Sequence, residues 1–256
     1  MERHGEFMPN RTYLVSYPRS GANWLRYCVE VISKKITHGV KPLQLLTPLD
    51  ASVEEACRSM LGESLGVEID PHSPVPVPIM QHSHRWESST PDTKIVTIVR
   101  NFKECILRDY RGTMGDDPLV KEIAVQNSLE ILCNIDGIYD YAHLLGRFVE
   151  HSGPKHLVYY EDLKSNPAET LANLCLFLDV DPTLVDRFID KFSEHNDRSV
   201  RIYSAGVARS YTQGSDNLSY HSDQFLSAEA KRSWDRHIAK NYPRIVPIVG
   251  RYFEDK

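Results

Sequence analysis

The sequence has no apolar run of about eighteen residues, no surplus of positive charge and no paired-cysteine motif. The first absence removes any expectation of a membrane-spanning helix. A net charge of −5 offers little to a polyanion, so nucleic acid is not an expected partner, although a local basic pocket is compatible with it. The five cysteines (Cys28, Cys57, Cys105, Cys133 and Cys175) are dispersed, odd in number and without a Cys-x-x-Cys pair. They read as buried, reduced thiols of a cytoplasmic protein. Residues 1–11 are polar and charged and lack the apolar core of a secretory signal. Internal repeats and low-complexity tracts are also missing. So is the Gly-Lys-Ser/Thr ending of a nucleoside-triphosphate loop, and with it the hydroxyl that would hold magnesium.

What is present points to one anion site. Residues 13–24 read Tyr-Leu-Val-Ser-Tyr-Pro-Arg-Ser-Gly-Ala-Asn-Trp: an apolar run, a tight turn with Pro18 and Gly21, then the start of an amphipathic segment. A strand that breaks at a small-residue turn and feeds a helix aims several backbone N–H groups at one point. Such a helix start carries unpaired donors and partial positive charge, which suits phosphate. Arg19 adds a full charge inside the turn, and Ser20 and Asn23 add neutral donors.

Periodicity places this loop in an α/β chain. Strands are expected over residues 12–16, 77–83, 94–99 and 155–160, the β-branched run Lys94–Val99 being the clearest. Helices are expected over 22–37, 53–61, 102–111, 118–133, 136–151, 167–178, 181–192 and 227–240. Ser165 or Asn166 is the expected cap before Pro167. Residues 62–78, with four prolines, read as a stiff connection, and 194–220 have little periodicity. Alternating strands and helices imply a largely parallel sheet with helices on both faces, in one domain across 1–256 with variable loops at about 40–80 and 195–225. Ligands of such sheets sit at the carboxyl ends of the strands, where both the Pro18–Asn23 loop and the turn after Val99 would lie.

Tyr17 to Trp24 resembles the phosphosulfate-binding loop of the sulfotransferase family, which uses 3′-phosphoadenosine 5′-phosphosulfate (PAPS) as donor and releases 3′-phosphoadenosine 5′-phosphate (PAP). The resemblance implies a phosphate-loop-like three-layer α/β fold. It also implies that Arg19, Ser20, Gly21, Ala22, Asn23 and Trp24 contact the nucleotide. Residues 99–110 resemble the family's 3′-phosphate segment, in which an Arg ends a strand and a Ser follows about two helical turns later. Arg100 matches the first. Arg108 stands where the Ser is expected, and eight residues of helix bring it back near the Arg100 face. Residues 158–167 resemble the family's Tyr-Glu-Asp-Leu segment, which would bring Tyr160 near the adenine, with Trp24 stacked on that base. In the stretch 208–215, Arg209 is the closest counterpart of the family's late basic segment.

Gln81-His-Ser-His-Arg-Trp86 resembles the family's strand end bearing a catalytic His after a hydroxyl residue. Aligning Ser83 with that hydroxyl makes His84 the base; the other alignment makes it His82. A largely neutral imidazole can take an acceptor's hydroxyl proton as attack begins. Arg19 would act electrostatically, since arginine is a poor proton donor. His82 and His84 share a strand face, but no third ligand spacing accompanies them, and the scheme requires no metal. The implied reaction is sulfuryl transfer to a hydroxyl, less readily an amine, of a small organic acceptor. Two rival readings remain: a small-molecule or nucleotide kinase on a related phosphate-loop fold, and a nucleotide-binding module without turnover.

Overall fold

Short stretches of apolar and β-branched residues become the strands of a single sheet, and the amphipathic stretches cover its two faces. The computed structural model describes residues 11–35, 37–38, 79–86, 89–114, 136–197 and 226–254. The strands are β1 (Thr12–Val15), β2 (Thr37–His38), β3 (Met80–Ser83), β4 (Lys94–Val99) and β5 (Lys155–Tyr159). They form a five-stranded sheet in the order β2-β3-β1-β4-β5, and every pairing is parallel. Central strands of such a sheet are covered on both faces, which is why β1 and β4 read as continuous apolar runs rather than as alternating ones.

The helices are α1 (Ala22–Ser33), α2 (Phe102–Met114), α3 (Asp136–Glu150), α4 (Tyr160–Ser165), α5 (Pro167–Phe177), α6 (Leu184–Ile189) and α7 (Ala228–Asn241). Tyr13, Val15, Ile95 and Val99 face a core with Phe102, Ile106, Leu145 and Trp234 of α2, α3 and α7. Leu14, Val96 and Ile98 face the opposite core, with Leu25, Cys28, Leu171, Leu174 and Phe188 of α1, α5 and α6. Two cores separated by one sheet make the three layers expected from the sequence. The free thiols Cys28, Cys105 and Cys175 are all buried.

Several boundaries differ from the sequence reading, each for a local reason. Helix α1 ends at Ser33, not at residue 37. Lys34 turns into the left-handed region at φ 56° and its N–H closes on the Glu30 carbonyl at 2.9 Å. The buried Glu30 carboxylate then accepts the N–H of Thr37 at 3.0 Å and its hydroxyl, which redirects the chain into β2. Strand β5 stops at Tyr159, and Tyr160 opens α4, an element the periodicity misses because it is only six residues long. Pro167 does open α5, but Asn166 bonds the Glu169 carboxylate and Ser165 the Glu161 carbonyl, so neither side chain caps the helix. The expected helix 181–192 is split into α6 and a further helical stretch at 192–197. Ser227 caps α7 by accepting the Ala230 N–H at 3.1 Å. The expected helices 53–61 and 118–133, the loop at 62–78 and the stretch 198–220 lie outside the described residues.

Beyond α7, short helical turns carry Pro243–Ile245, Val246–Val249 and Gly250–Tyr252 back against the sheet. Lys103 of α2 is fully buried there, its ammonium 2.7 Å from Asp235 Oδ1, 2.7 Å from the Tyr252 carbonyl and 3.1 Å from Glu254 Oε1. Removing one member of a buried ionic set leaves the other charges desolvated without compensation, at about 3–5 kcal/mol. Lys103→Ala is therefore expected to lower the unfolding free energy by roughly that amount in urea titrations. A loss below about 1 kcal/mol would mean that the carboxylates reach water or another cation.

Candidate active site

Parallel pairing puts the carboxyl end of every strand on one edge of the sheet. Val15 is in register with Ser83 and Thr97, and Val99 with Tyr159. The residues that follow these strand ends, namely Ser16, His84, Arg100 and Tyr160, therefore share that edge although they lie far apart in the chain.

The loop after β1 is a tight turn. The Tyr17 carbonyl accepts both the Ser20 N–H at 3.3 Å and the Ser20 hydroxyl at 2.6 Å. The Ser20 hydroxyl thus helps to shape the turn, and Ser20 is buried. Arg19 adopts φ 67°, a left-handed conformation unusual for a residue with a Cβ, and Gly21 adopts φ 99°. Backbone held in such regions costs about 1–3 kcal/mol and concentrates at functional sites. Helix α1 then begins with no acidic residue in its first turn, so its partial positive end is not neutralised from within the helix. Ala22 is buried and Asn23 is exposed at this start.

Gly21 also lies against the ring of Tyr160, so close that a Cβ would collide with Cδ2 and Cε2. The other partner of that ring is the Arg100 guanidinium, 4.6 Å from its centroid. Loop, Tyr160 and Arg100 thus form a contiguous stack. Gly21→Ala combines a disfavoured φ with this collision, and, if the loop binds the nucleotide that the resemblance implies, it is expected to weaken PAP affinity by about tenfold or more, about 1.4 kcal/mol in binding free energy. Calorimetry on the variant checks this; wild-type affinity would show that Tyr160 can move without consequence.

Arg108 lies within electrostatic reach of Arg100. Its pKa is lowered by burial first and by the Arg100 charge second, with Glu104, 3.6 Å away, opposing. Two guanidinium groups held close enough to disfavour each other suit a polyanion lying between them.

Trp24 is 8% exposed, and its ring packs at 5.7 Å on Tyr27 and edge-on to Phe192 at 5.5 Å. Lys164 Nζ sits 5.3 Å from the ring centroid and donates to Asn196 Oδ1 at 2.7 Å. Trp24 therefore anchors an aromatic wall rather than presenting a bare face. Phe192 and Lys164 were not candidates from sequence, because only the fold brings α4 and the 192–197 stretch to α1. Arg209 lies outside the described residues.

The two histidines separate cleanly. His82 is buried, with Nε2 at 2.9 Å from the Ser16 hydroxyl. Its pKa is pushed well down by burial, then by the neighbouring charges of His84 and Arg26. His84 is exposed at the strand end, and its Nδ1 lies 2.8 Å from the Ser16 carbonyl. A carbonyl only accepts, so Nδ1 carries the proton and the Nε2 of the neutral ring keeps its lone pair. Burial of the rest of the ring lowers the His84 pKa, the Ser16 bond and the Asp109 carboxylate raise it, and Arg26 and Arg19 lower it further. The rings meet edge-on with centroids 4.4 Å apart. Ser16 thus holds both imidazoles, and Asp109, one residue past Arg108, stands close enough to act on His84; neither was a sequence candidate. Among the described residues no group of three His, Cys, Asp or Glu side chains is arranged to hold a metal ion, and no helix is long and apolar enough to cross a membrane.

Comparison with known proteins adds three findings. The model of the family described as "Sulfotransferase domain" matches residues 9–244. Flavonol 3-sulfotransferase of Flaveria bidentis is 27% identical over 183 residues, an alignment covering 66% of this chain and 57% of that protein's length. Mouse sulfotransferase SULT7A1, solved with PAP, superposes with a TM-score of 0.59 at 18% identity, over 98% of this chain and 89% of that one. Retinol dehydratase, solved with androsterone and the inactive cofactor PAP, superposes with a TM-score of 0.55 at 12% identity, over 92% of this chain and 82% of that one. At these identities the two superpositions establish a shared fold.

Proposed function

This chain belongs to the sulfotransferase-domain family, and from that premise we propose that it transfers the sulfuryl group of PAPS to the hydroxyl of a small organic acceptor. The single observation that carries the proposal is the contiguous stack of the Arg19–Gly21 turn, Tyr160 and Arg100, with Arg108 beside it. These residues fit a nucleotide phosphorylated at both ends: a strained loop with a helix start at one side, paired guanidiniums at the other, and an aromatic ring between.

The donor supplies an activated sulfuryl group, whose bond to the phosphate oxygen breaks as the acceptor oxygen bonds to sulfur. The protein's residues then have distinct tasks. The N–H groups at the start of α1, with Asn23, hold the 5′-phosphate. Arg19 offsets negative charge on the bridging oxygen as it departs. Arg100 and Arg108 grip the 3′-phosphate, where planar forks suit its oxygens. Tyr160 borders the adenine, and Trp24 braces the wall on that side. His84 Nε2 takes the acceptor proton, while Ser16 holds the ring in the productive tautomer. His82 sits behind it, buried and bonded to Ser16, and is the weaker candidate for the base.

The flavonol, retinol and androsterone named with the compared proteins are small organic molecules. We assign a molecule of that size to this chain, received by the variable stretches 40–80 and 195–225, and we place the reaction in the cytoplasm. The test is a screen of phenols, alcohols and amines with isotopically labelled PAPS, read by mass spectrometry for a sulfo-group gain. Magnesium-dependent consumption of ATP in place of transfer would favour the kinase reading. Tight PAP binding with no transfer to any acceptor would favour the module without turnover.

A further inference from the structure

We propose that Tyr252, acting through Glu161, is a positioning residue for the Arg100 end of the nucleotide site. The inference rests on the assignment of Arg100 to the 3′-phosphate.

The turn that carries Arg100 is held from outside. The Glu161 carboxylate uses one oxygen to accept the N–H of Asn101 at 3.3 Å and the other to accept the Tyr252 hydroxyl at 2.6 Å. Asn101 follows Arg100 directly, and Glu161 follows Tyr160, the ring on which Arg100 rests at 4.6 Å. One carboxylate therefore ties the backbone behind the guanidinium to the residue after its aromatic support. Tyr252 decides where that carboxylate points.

Tyr252 is itself fixed on several sides. Its carbonyl accepts from the buried Lys103 ammonium at 2.7 Å. Its ring meets Tyr159 edge-on at 6.4 Å. The preceding Arg251 forms a two-bond pair with Asp162, at 3.0 and 2.7 Å, and lies 4.2 Å from the Tyr159 ring centroid. Next along the chain, Phe253 packs edge-on against Phe102 of α2 at 6.3 Å. Burial and the adjoining carboxylate hold the Tyr252 phenol far above its ordinary pKa, so it remains a donor throughout the working pH range. On the other side of the turn, the Tyr141 hydroxyl donates to the Arg100 carbonyl at 3.1 Å. None of these contacts occupies the guanidinium itself, which stays available to a ligand. The segment Arg251–Phe253 is thus a brace that touches no nucleotide and sets the direction of the Arg100 side chain.

The experiment measures the binding of PAP and of adenosine 5′-monophosphate (AMP) by calorimetry, with donor KM and kcat, for the wild type, Tyr252→Phe, Glu161→Gln and Arg100→Ala in the full chain. Tyr252→Phe removes one hydroxyl and keeps the ring. The expected result is an approximately tenfold weaker PAP affinity and a similar rise in donor KM, with AMP affinity and kcat unchanged. Glu161→Gln keeps an acceptor for Asn101 and should show the same selectivity with a smaller loss; it also serves as the deciding variant should Tyr252→Phe fold poorly. Equal losses for both nucleotides, or no loss, overturn the proposal, because a general structural defect does not distinguish a 3′-phosphate. Arg100→Ala separates the two levels. If it weakens PAP but Tyr252→Phe and Glu161→Gln do not, the brace alone is wrong. If it leaves PAP binding unchanged, the 3′-phosphate assignment and the brace fall together.

Discussion

His84→Ala is expected to slow sulfuryl transfer by about 10²–10⁴-fold while PAP affinity stays within about twofold of the wild type. The reason is the division of labour in one ring. Nδ1 is committed to the Ser16 carbonyl at 2.8 Å, so Nε2 is the atom that can receive a proton. The sign of the pH dependence follows from the lowered His84 pKa, caused first by burial. Lowering favours the neutral, proton-accepting form. Activity should therefore be complete at neutral pH and fall only below about 6.5, as the ring protonates. His84→Ala should lose that acid limb along with the rate. Steady-state kinetics from pH 5 to 9 and PAP calorimetry check both parts. Wild-type turnover in His84→Ala, paired with a collapse in His82→Ala, would transfer the role to His82.

Arg19→Ala should damage binding and turnover together, with PAP affinity falling about tenfold or more and kcat/KM falling about 10²–10³-fold. In the proposed mechanism the same charge attracts the 5′-phosphate and offsets the charge developing on the leaving oxygen, so its loss is expected to raise the transition-state energy more than that of the bound ground state. Backbone strain complicates alanine here, because Arg19 adopts φ 67°. Arg19→Gly removes the charge and accepts that φ without strain. Similar losses in both variants assign the effect to the guanidinium. A glycine variant with wild-type kinetics would remove Arg19 from the mechanism. Arg19→Lys should recover part of the rate, since an ammonium restores the charge but not the planar fork.

The readable parts of this molecule share a physical cause. Strand β4 was legible to the residue because the six successive residues Lys94–Val99 include five β-branched ones, all at buried positions of a parallel strand. The turn between Tyr17 and Trp24 was legible because a tight strand-to-helix turn needs particular small and rigid residues at adjacent positions. Helix α4 was not, since six residues give too little periodicity to register and Tyr160 continues the apolar run of β5. The early end of α1 also escaped, because it depends on a buried carboxylate, Glu30, accepting bonds from Thr37 across the turn. The bond from the Ser20 hydroxyl to the Tyr17 carbonyl was not legible, because it forms only when the chain folds back on itself.

By itself the sequence determined which local devices exist: the turn at Arg19, the strand-end arginine, the histidine pair and the run of elements that makes a parallel sheet. These rest on neighbours in the chain, where spacing alone dictates geometry. Only the tertiary structure decided how the devices cooperate. Parallel register carried Ser16, His84, Arg100 and Tyr160 to one edge, the Ser16 carbonyl selected the tautomer of His84, and Tyr252 reached Glu161 across 91 positions of chain. Such contacts depend on the packing of elements remote from one another, and no spacing rule along the chain encodes their distances.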